Sequence, residues 1–372
     1  MKRRLIFVLT LTLLLVVPGC GRRMYLENRQ IILMTGADLN NDQRLTVYTS
    51  TPVFSVEAKQ KYNISETSAD TLRQARSKLD AMSTGPLASG KIQTVLIGKK
   101  LLQRPDMLHY MDVFMRDPKS EINANILAVD GPVKDIMYAN MKDKGRPGVV
   151  LKEQTEAAFS SRTAVKTIMQ EFHQQLLDPR RTPAMTEVKL SGNEIVVTGT
   201  ALLSKEGAYA TSLNNEESAL LLLLQQRKGQ PFPFTFHIPP KKIKAAEHLA
   251  FLSLEIGDTQ YDIKVRHENS RFAFDIRMKI KVNLTERLFE YDLEKDKKPL
   301  EQALQQEMTK KFEALIAKIQ KHRIDPIGLG VYAKAFQFAQ WKKVENDWGK
   351  ALAEAKIRVM PDVVIQSSGV AM

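Results

Sequence analysis

One cysteine, Cys20, stands in the whole chain, and its place constrains how everything after it can fold. Lys2, Arg3 and Arg4 form a basic start, residues 5–17 are an almost unbroken apolar run, and Val17-Pro18-Gly19-Cys20 follows. The run is thirteen residues, about 20 Å as helix at ~1.5 Å per residue. A bilayer core about 30 Å thick needs about 20 such residues. The segment therefore suits a secretory signal and is short for a permanent span. The cationic start orients it, because Lys and Arg stay on the cytoplasmic side. Val17, Pro18, Gly19 and Cys20 read as a lipobox. Small Gly19 lets a peptidase approach the backbone, and the Cys20 thiol takes a diacylglyceryl group. Ordinary cleavage beside an incidental cysteine, or an uncleaved anchor, are the competing readings. With Cys20 acylated, no thiol remains for a disulfide, a catalytic cysteine or a thiolate metal site. An exported body must then be stable on its core alone.

At 372 residues, the chain is long enough for two or three domains. Its 43% hydrophobic and 26% charged content places it among ordinary globular proteins. After residue 17 the longest apolar run is 219–224, too short to cross a membrane. The formal charge is +13, spread along the chain, with the densest runs at 240–244 and 295–298. These read as solvated faces, with weak attraction to anionic headgroups as the functional alternative. Export argues against nucleic acid as a partner.

Residues 31–34, followed by Gly36 and Asp38, read as a buried strand entering a turn, with 44–50 as its hairpin partner. Residues 62–67 are polar and loop-like. A helix opens near Asp70, with Leu72, Ala75, Leu79 and Met82 on one face. Strands are expected at 91–98 and 123–129, and helices at 101–115 and 132–141. Val165, Ile168, Met169, Phe172 and Leu176 predict an amphipathic helix over 160–177, ended by Asp178-Pro179. The pattern then changes. Ser191-Gly192-Asn193 joins two strands in a hairpin. Asn214 opens a helix with Glu216 and Glu217 at its positive end, and Gly229 closes it. Runs at 250–255, 261–265 and 271–282 form an antiparallel meander with turns at Gly257-Asp258 and 268–270. In the last, Phe272, Phe274, Ile276, Met278 and Ile280 alternate with polar residues. Pro299 starts a long helix. Asp325-Pro326-Ile327-Gly328-Leu329-Gly330 reads as a structural turn before a helix carrying Trp341 and Trp348, and a strand over 356–365 closes the chain.

We therefore expect an α+β, mixed α/β, multi-domain fold with mostly antiparallel sheets and packed amphipathic helices. Residues 1–19 are the signal peptide and 20–23 the lipidated tether. Residues 24–205 form an N-terminal α/β region of one or two lobes. Residues 206–372 form a C-terminal α+β domain with the meander.

Catalytic signals are missing from the sequence. His109, His173, His237, His248, His267 and His322 pair with no other ligand at metal spacing. There is no glycine-rich phosphate loop and no G-x-S-x-G elbow. Acidic pairs such as Glu216-Glu217 fit helix capping better than acid–base work. No cofactor and no metal are expected.

Several stretches, in order, carry a resemblance. They are the lipobox at Cys20, Gly36-x-Asp38, Val95-Leu96-Ile97-Gly98, Arg116-Asp117-Pro118, residues 199–203, Leu213-Asn214-x-Glu216-Glu217, the motif at 325–330, and Trp341 with Trp348-Gly349. In this order the chain resembles the Ger(x)C family, lipoprotein C-subunits of spore nutrient-germinant receptors. It departs at Gly21-Arg22-Arg23, where the family often has Trp, and at Tyr332-Ala333-Lys334, where an arginine pair is usual. The resemblance implies several mixed α/β domains, no catalytic residues, and Asp325, Pro326, Gly328, Gly330, Trp341 and Trp348 as a structural motif. It implies a non-catalytic subunit, lipid-anchored on the outer face of the spore inner membrane and acting through integral membrane receptor subunits. A lipid-anchored solute-binding protein of a transporter is the alternative.

Overall fold

The computed structural model describes residues 29–117, 120–139, 145–227, 229–238 and 246–367. The signal segment, the tether and Cys20 lie outside the described residues.

Strands β1 (Gln30–Ile31), β2 (Met34–Leu39), β3 (Leu45–Pro52) and β4 (Tyr62–Ala69) precede helix α1 (Leu72–Met82). Then come β5 (Leu87–Ala88), β6 (Thr94–Gly98), α2 (Lys99–Leu102), α3 (Met107–Arg116), β7 (Asn125–Val129), α4 (Val133–Met137), α5 (Pro147–Ser160) and α6 (Met169–Leu177). Strands β8 (Ala184–Ser191), β9 (Glu194–Leu203) and β10 (Tyr209–Leu213) complete an eight-stranded sheet of order β10-β9-β8-β7-β6-β2-β3-β4. Its centre is parallel, β2 to β6 to β7 to β8, and antiparallel hairpins flank it on both sides. The central strands β2, β6 and β7 are buried along their whole length, as continuous apolar runs covered on both faces should be. Leu79, Leu101, Met111 and Phe172, from α1, α2, α3 and α6, cover one face. Val133 and Met137 from α4 and Leu151 from α5 cover the other.

Helix α7 (Asn215–Leu224) follows, with Ala219 to Leu224 all buried. A helix apolar on every side has to be enclosed. Its leucines share one cluster with Leu202 and Leu213 of the first sheet and with Phe234 and Ile276 of the second. That second sheet, of order β11-β12-β13-β14, uses β11 (Phe232–His237), β12 (Phe251–Glu268), β13 (Arg271–Arg287) and β14 (Lys356–Ser367). The first three are antiparallel, and β14 lies parallel to β13. Helix α8 (Leu293–Lys321) bends at Asp296, so Pro299 sits in the first turn of its straight part. Leu300, Leu304, Met308, Phe312, Leu315 and Ile319 of α8 are buried. Lys311 and Lys318 on the same helix reach Glu216 and Glu217 at the start of α7, at 2.8 and 2.9 Å. Helices α9 (Leu329–Phe336), α10 (Phe338–Val344) and α11 (Trp348–Ala353) lie between α8 and β14.

Several local expectations are corrected. Of the helix expected over 160–177 only α6 (Met169–Leu177) forms; α5 ends at Ser160 and an extended crossing joins the two. There Thr167 Oγ1 donates to the Ala184 carbonyl (2.7 Å), the Thr167 carbonyl accepts from Ile126 N–H (3.0 Å), and Val165 N–H reaches Thr200 Oγ1 (3.2 Å). The sheet satisfies this backbone, and the β-branched residues Val165, Thr167 and Ile168 favour extension. Residues 62–67 belong to β4, paired with β3 residue by residue; an edge strand can be polar. Gly36 and Asp38 lie inside β2, and the turn starts at Asn40. Gly257-Asp258 marks a register shift within β12 rather than a turn. The turn expected at 268–270 is present, at Asn269-Ser270, both at positive φ as tight hairpins require. Helix α7 stops at Leu224 rather than Gly229, and the helix expected through both tryptophans breaks at 345–347.

Candidate functional site

At the end of α8 the chain turns through Arg323, at positive φ, into Asp325-Pro326. Asp325 is completely buried. Its Oδ1 accepts the N–H groups of Gly328 (2.7 Å) and Leu329 (3.0 Å). Its Oδ2 accepts Gly330 N–H (2.8 Å) and the Trp348 indole N–H (2.7 Å). The carboxylate thus closes the start of α9, where unpaired N–H groups and the helix dipole favour an anion. Burial pushes the Asp325 carboxyl above its ordinary value, and Trp348 and the three backbone donors pull it down. Every one of these neighbours donates and none accepts, so the ionised form fits the geometry.

The glycines have separate reasons. Gly328 lies at φ +88°, a left-handed conformation that side chains resist. A Cβ on Gly330 would stand 2.5 Å from the Arg180 carbonyl. Trp348 packs edge-on against Phe272 and Phe274 of β13, at 5.3 and 6.4 Å between ring centres. Asp325, Pro326, Gly328, Gly330 and Trp348 are therefore brought together. Trp341 is not: it is buried on α10 under Lys334, 5.0 Å above its ring.

This loop also joins the two halves of the chain. Asp325 N–H reaches Thr182 Oγ1 (3.0 Å), and Thr182 N–H returns to the Asp325 carbonyl (2.9 Å). Gln225 at the end of α7 donates to the Pro326 carbonyl (2.7 Å). Thr182 leads into β8 and was not singled out from the sequence, because nothing local marks a partner 143 positions away.

A second buried carboxylate, Asp38, organises the C-terminal end of the parallel strands. Its Oδ2 accepts Val133 N–H at the start of α4 (3.0 Å), and its Oδ1 accepts Leu39 N–H (2.8 Å). Burial raises its pKa, against these donors and the charge of Lys100. A Cβ on Gly98 would lie 2.1 Å from Asp38 Oδ1, and one on Gly36 would lie 2.5 Å from Val133. The Gly36-x-Asp38 and Gly98 signals therefore mark one packing site. Buried Glu187 nearby accepts from Tyr209 Oη (2.8 Å); burial pushes its carboxyl up. Simple strand alternation concealed it.

Among the described residues no three His, Cys, Asp or Glu side chains form a group that could hold a metal, and no helix is long and apolar enough to cross a membrane. Val17, Pro18, Gly19 and Cys20 lie outside the described residues.

Asp38 and Asp325 thus fasten elements in a protein of the mixed α/β class, a three-layer α/β half joined to a meander half. The family of the spore germination protein N-terminal domain matches residues 22–190, and that of the spore germination B3/GerAC-like C-terminal domain matches 198–369. The chain belongs to this spore-germination family, Ger(x)C. It is similar to spore germination protein GerQC of Bacillus cereus, 22% identical over 371 residues, covering 100% of this chain and 99% of that one. It is also similar to spore germination protein KC of Bacillus subtilis (strain 168), 22% identical, with 99% and 96% covered. Its fold is that of the GerBC crystal structure, with a TM-score of 0.56 at 15% identity over 89% of this chain and 96% of that one.

Proposed function

We propose that the chain is a non-catalytic subunit of a spore nutrient-germinant receptor, anchored by a diacylglyceryl group on Cys20 at the outer face of the spore inner membrane. It acts through contact with integral membrane receptor subunits. The observation that carries this reading is the pair of family matches, which begin two residues beyond Cys20 and run to residue 369. In this reading residues 1–19 are the signal peptide and 20–23 the tether, with functional halves at 24–205 and 206–372. One acyl chain binds membranes only marginally, so a two-chain anchor suits stable retention. Confinement to the membrane face raises encounter with integral partners. The second sheet is antiparallel apart from β14, which does not favour two matched lobes around a solute cleft.

The test is Cys20→Ala in the producing strain. We expect the chain to leave the membrane fraction and nutrient-triggered germination to fall sharply. Normal retention together with normal germination would refute the anchored-subunit reading.

A further inference from the structure

The face of the first sheet that carries α1 and α3 opens into a cavity of about 370 Å³ that shares no lining residue with the Asp325 junction. That size falls within the ~300–1,000 Å³ of small-molecule sites. Ile32, Val47, Leu79 and Ile92, all buried, make its floor. Leu72, Val113 and Phe114 form partly buried walls.

Among these apolar groups stands Thr49 of β3, 3% exposed, whose hydroxyl has no hydrogen-bond partner among the described residues. Thr35 beside it, by contrast, donates to the Tyr48 carbonyl at 3.0 Å. A buried hydroxyl left unpaired costs about 1–3 kcal/mol, which a ligand's polar atom would recover.

The mouth is charged. Arg29, Arg73 and Arg76 line it together with Asp80 and Asp117. Arg73 Nη1 is held by Asp117 at 3.0 Å, and Arg76 Nε by both oxygens of Asp80 at 3.3 Å. These pairs fix the guanidiniums at the opening and leave each with further N–H donors, of which a guanidinium has five. An apolar floor below fixed guanidiniums matches a molecule with a carboxylate at one end and hydrocarbon at the other.

We propose that this cavity binds a small carboxylate with an apolar body. The carboxylate lies on Arg73 and Arg76, and the body rests on Ile32, Leu79 and Phe114. An apolar α-amino acid and a simple branched-chain acid share this chemistry, and Asp80 and Asp117 would hold an ammonium in the first. The site is independent of the anchor and of any partner subunit, so its test reads neither.

The full-length chain in detergent micelles is titrated calorimetrically with leucine, with 4-methylpentanoate and with the neutral 4-methylpentanamide. We expect saturable one-to-one binding of at least one carboxylate and none of the amide. Arg73→Gln should weaken binding about tenfold, the loss of one charged hydrogen bond. Thr49→Val should also weaken it, with the melting temperature unchanged or raised, which separates binding from folding. Tighter binding of leucine assigns a zwitterion, and equal or tighter binding of 4-methylpentanoate assigns a simple acid. Lack of saturable binding by both carboxylates up to about 10 mM, amide binding as tight as theirs, or unchanged affinity in both variants overturns the proposal.

Discussion

Asp325 receives four donors without any solvent contact. A residue so placed is sensitive to a change of one atom. Asp325→Asn keeps the shape but points an NH₂ group at N–H donors, leaving at least one of them unpaired. We expect a loss of about 2–3 kcal/mol, hence a melting temperature roughly 3–4 °C lower. A shift under about 1 °C would mean that the carboxylate is not needed there. The sequence showed the motif, but not its purpose. The spacing from Asp325 to Gly330 announces a turn, and the left-handed Gly328 bears the requirement for it. The reach of Trp348 back to Asp325 was legible only as two tryptophans near a loop. Asp38 was less legible: it holds Val133, 95 positions along, and contacts at that separation leave no local pattern.

At the scale of elements, β13 is held by charge as well as by its alternating core. Asp275 on β13 is bound by Arg358 of β14 (2.6 Å) and Arg266 of β12 (2.7 Å), so one carboxylate ties three strands. The Arg358 hydrogen bond, reinforced by Arg266, holds the Asp275 carboxyl below its usual range despite the opposing effect of burial. A depressed folded-state pKa contributes stability that is present above the unfolded value of about 3.9 and is lost as pH falls through the folded value. Asp275→Asn should therefore lower the urea midpoint at pH 7 and lower it by less at pH 3, below the unfolded value. An equal loss at both pH values would show that the ion triad carries no linkage. Elements with strong periodicity, such as α1, β13 and α8, were readable because one buried face dictates them. The crossing at 163–168 was misread because its apolar spacing imitates a helix while its hydrogen bonds go to β7, β8 and β9. Strand β4 was missed because its polarity belongs to an edge.

At the scale of the molecule, the mixed α/β class and the meander followed from the pattern, whereas the parallel centre of the first sheet did not. Parallel pairing joins strands far apart in sequence, and only the unbroken burial of β2, β6 and β7 reveals it. The junction of the two halves was equally hidden. Leucines of α7 fill the space between the sheets, and Asp325 and Thr182 exchange hydrogen bonds across it. The two halves are thus fastened where they meet, and the proposed role of the body is contact with integral membrane subunits. The most direct test of that role is co-purification of the tagged chain from dormant-spore membranes, with mass spectrometry of what travels with it. The account expects integral membrane germinant-receptor subunits in comparable amount. Recovery of the chain alone, or with transporter subunits in their place, would contradict it.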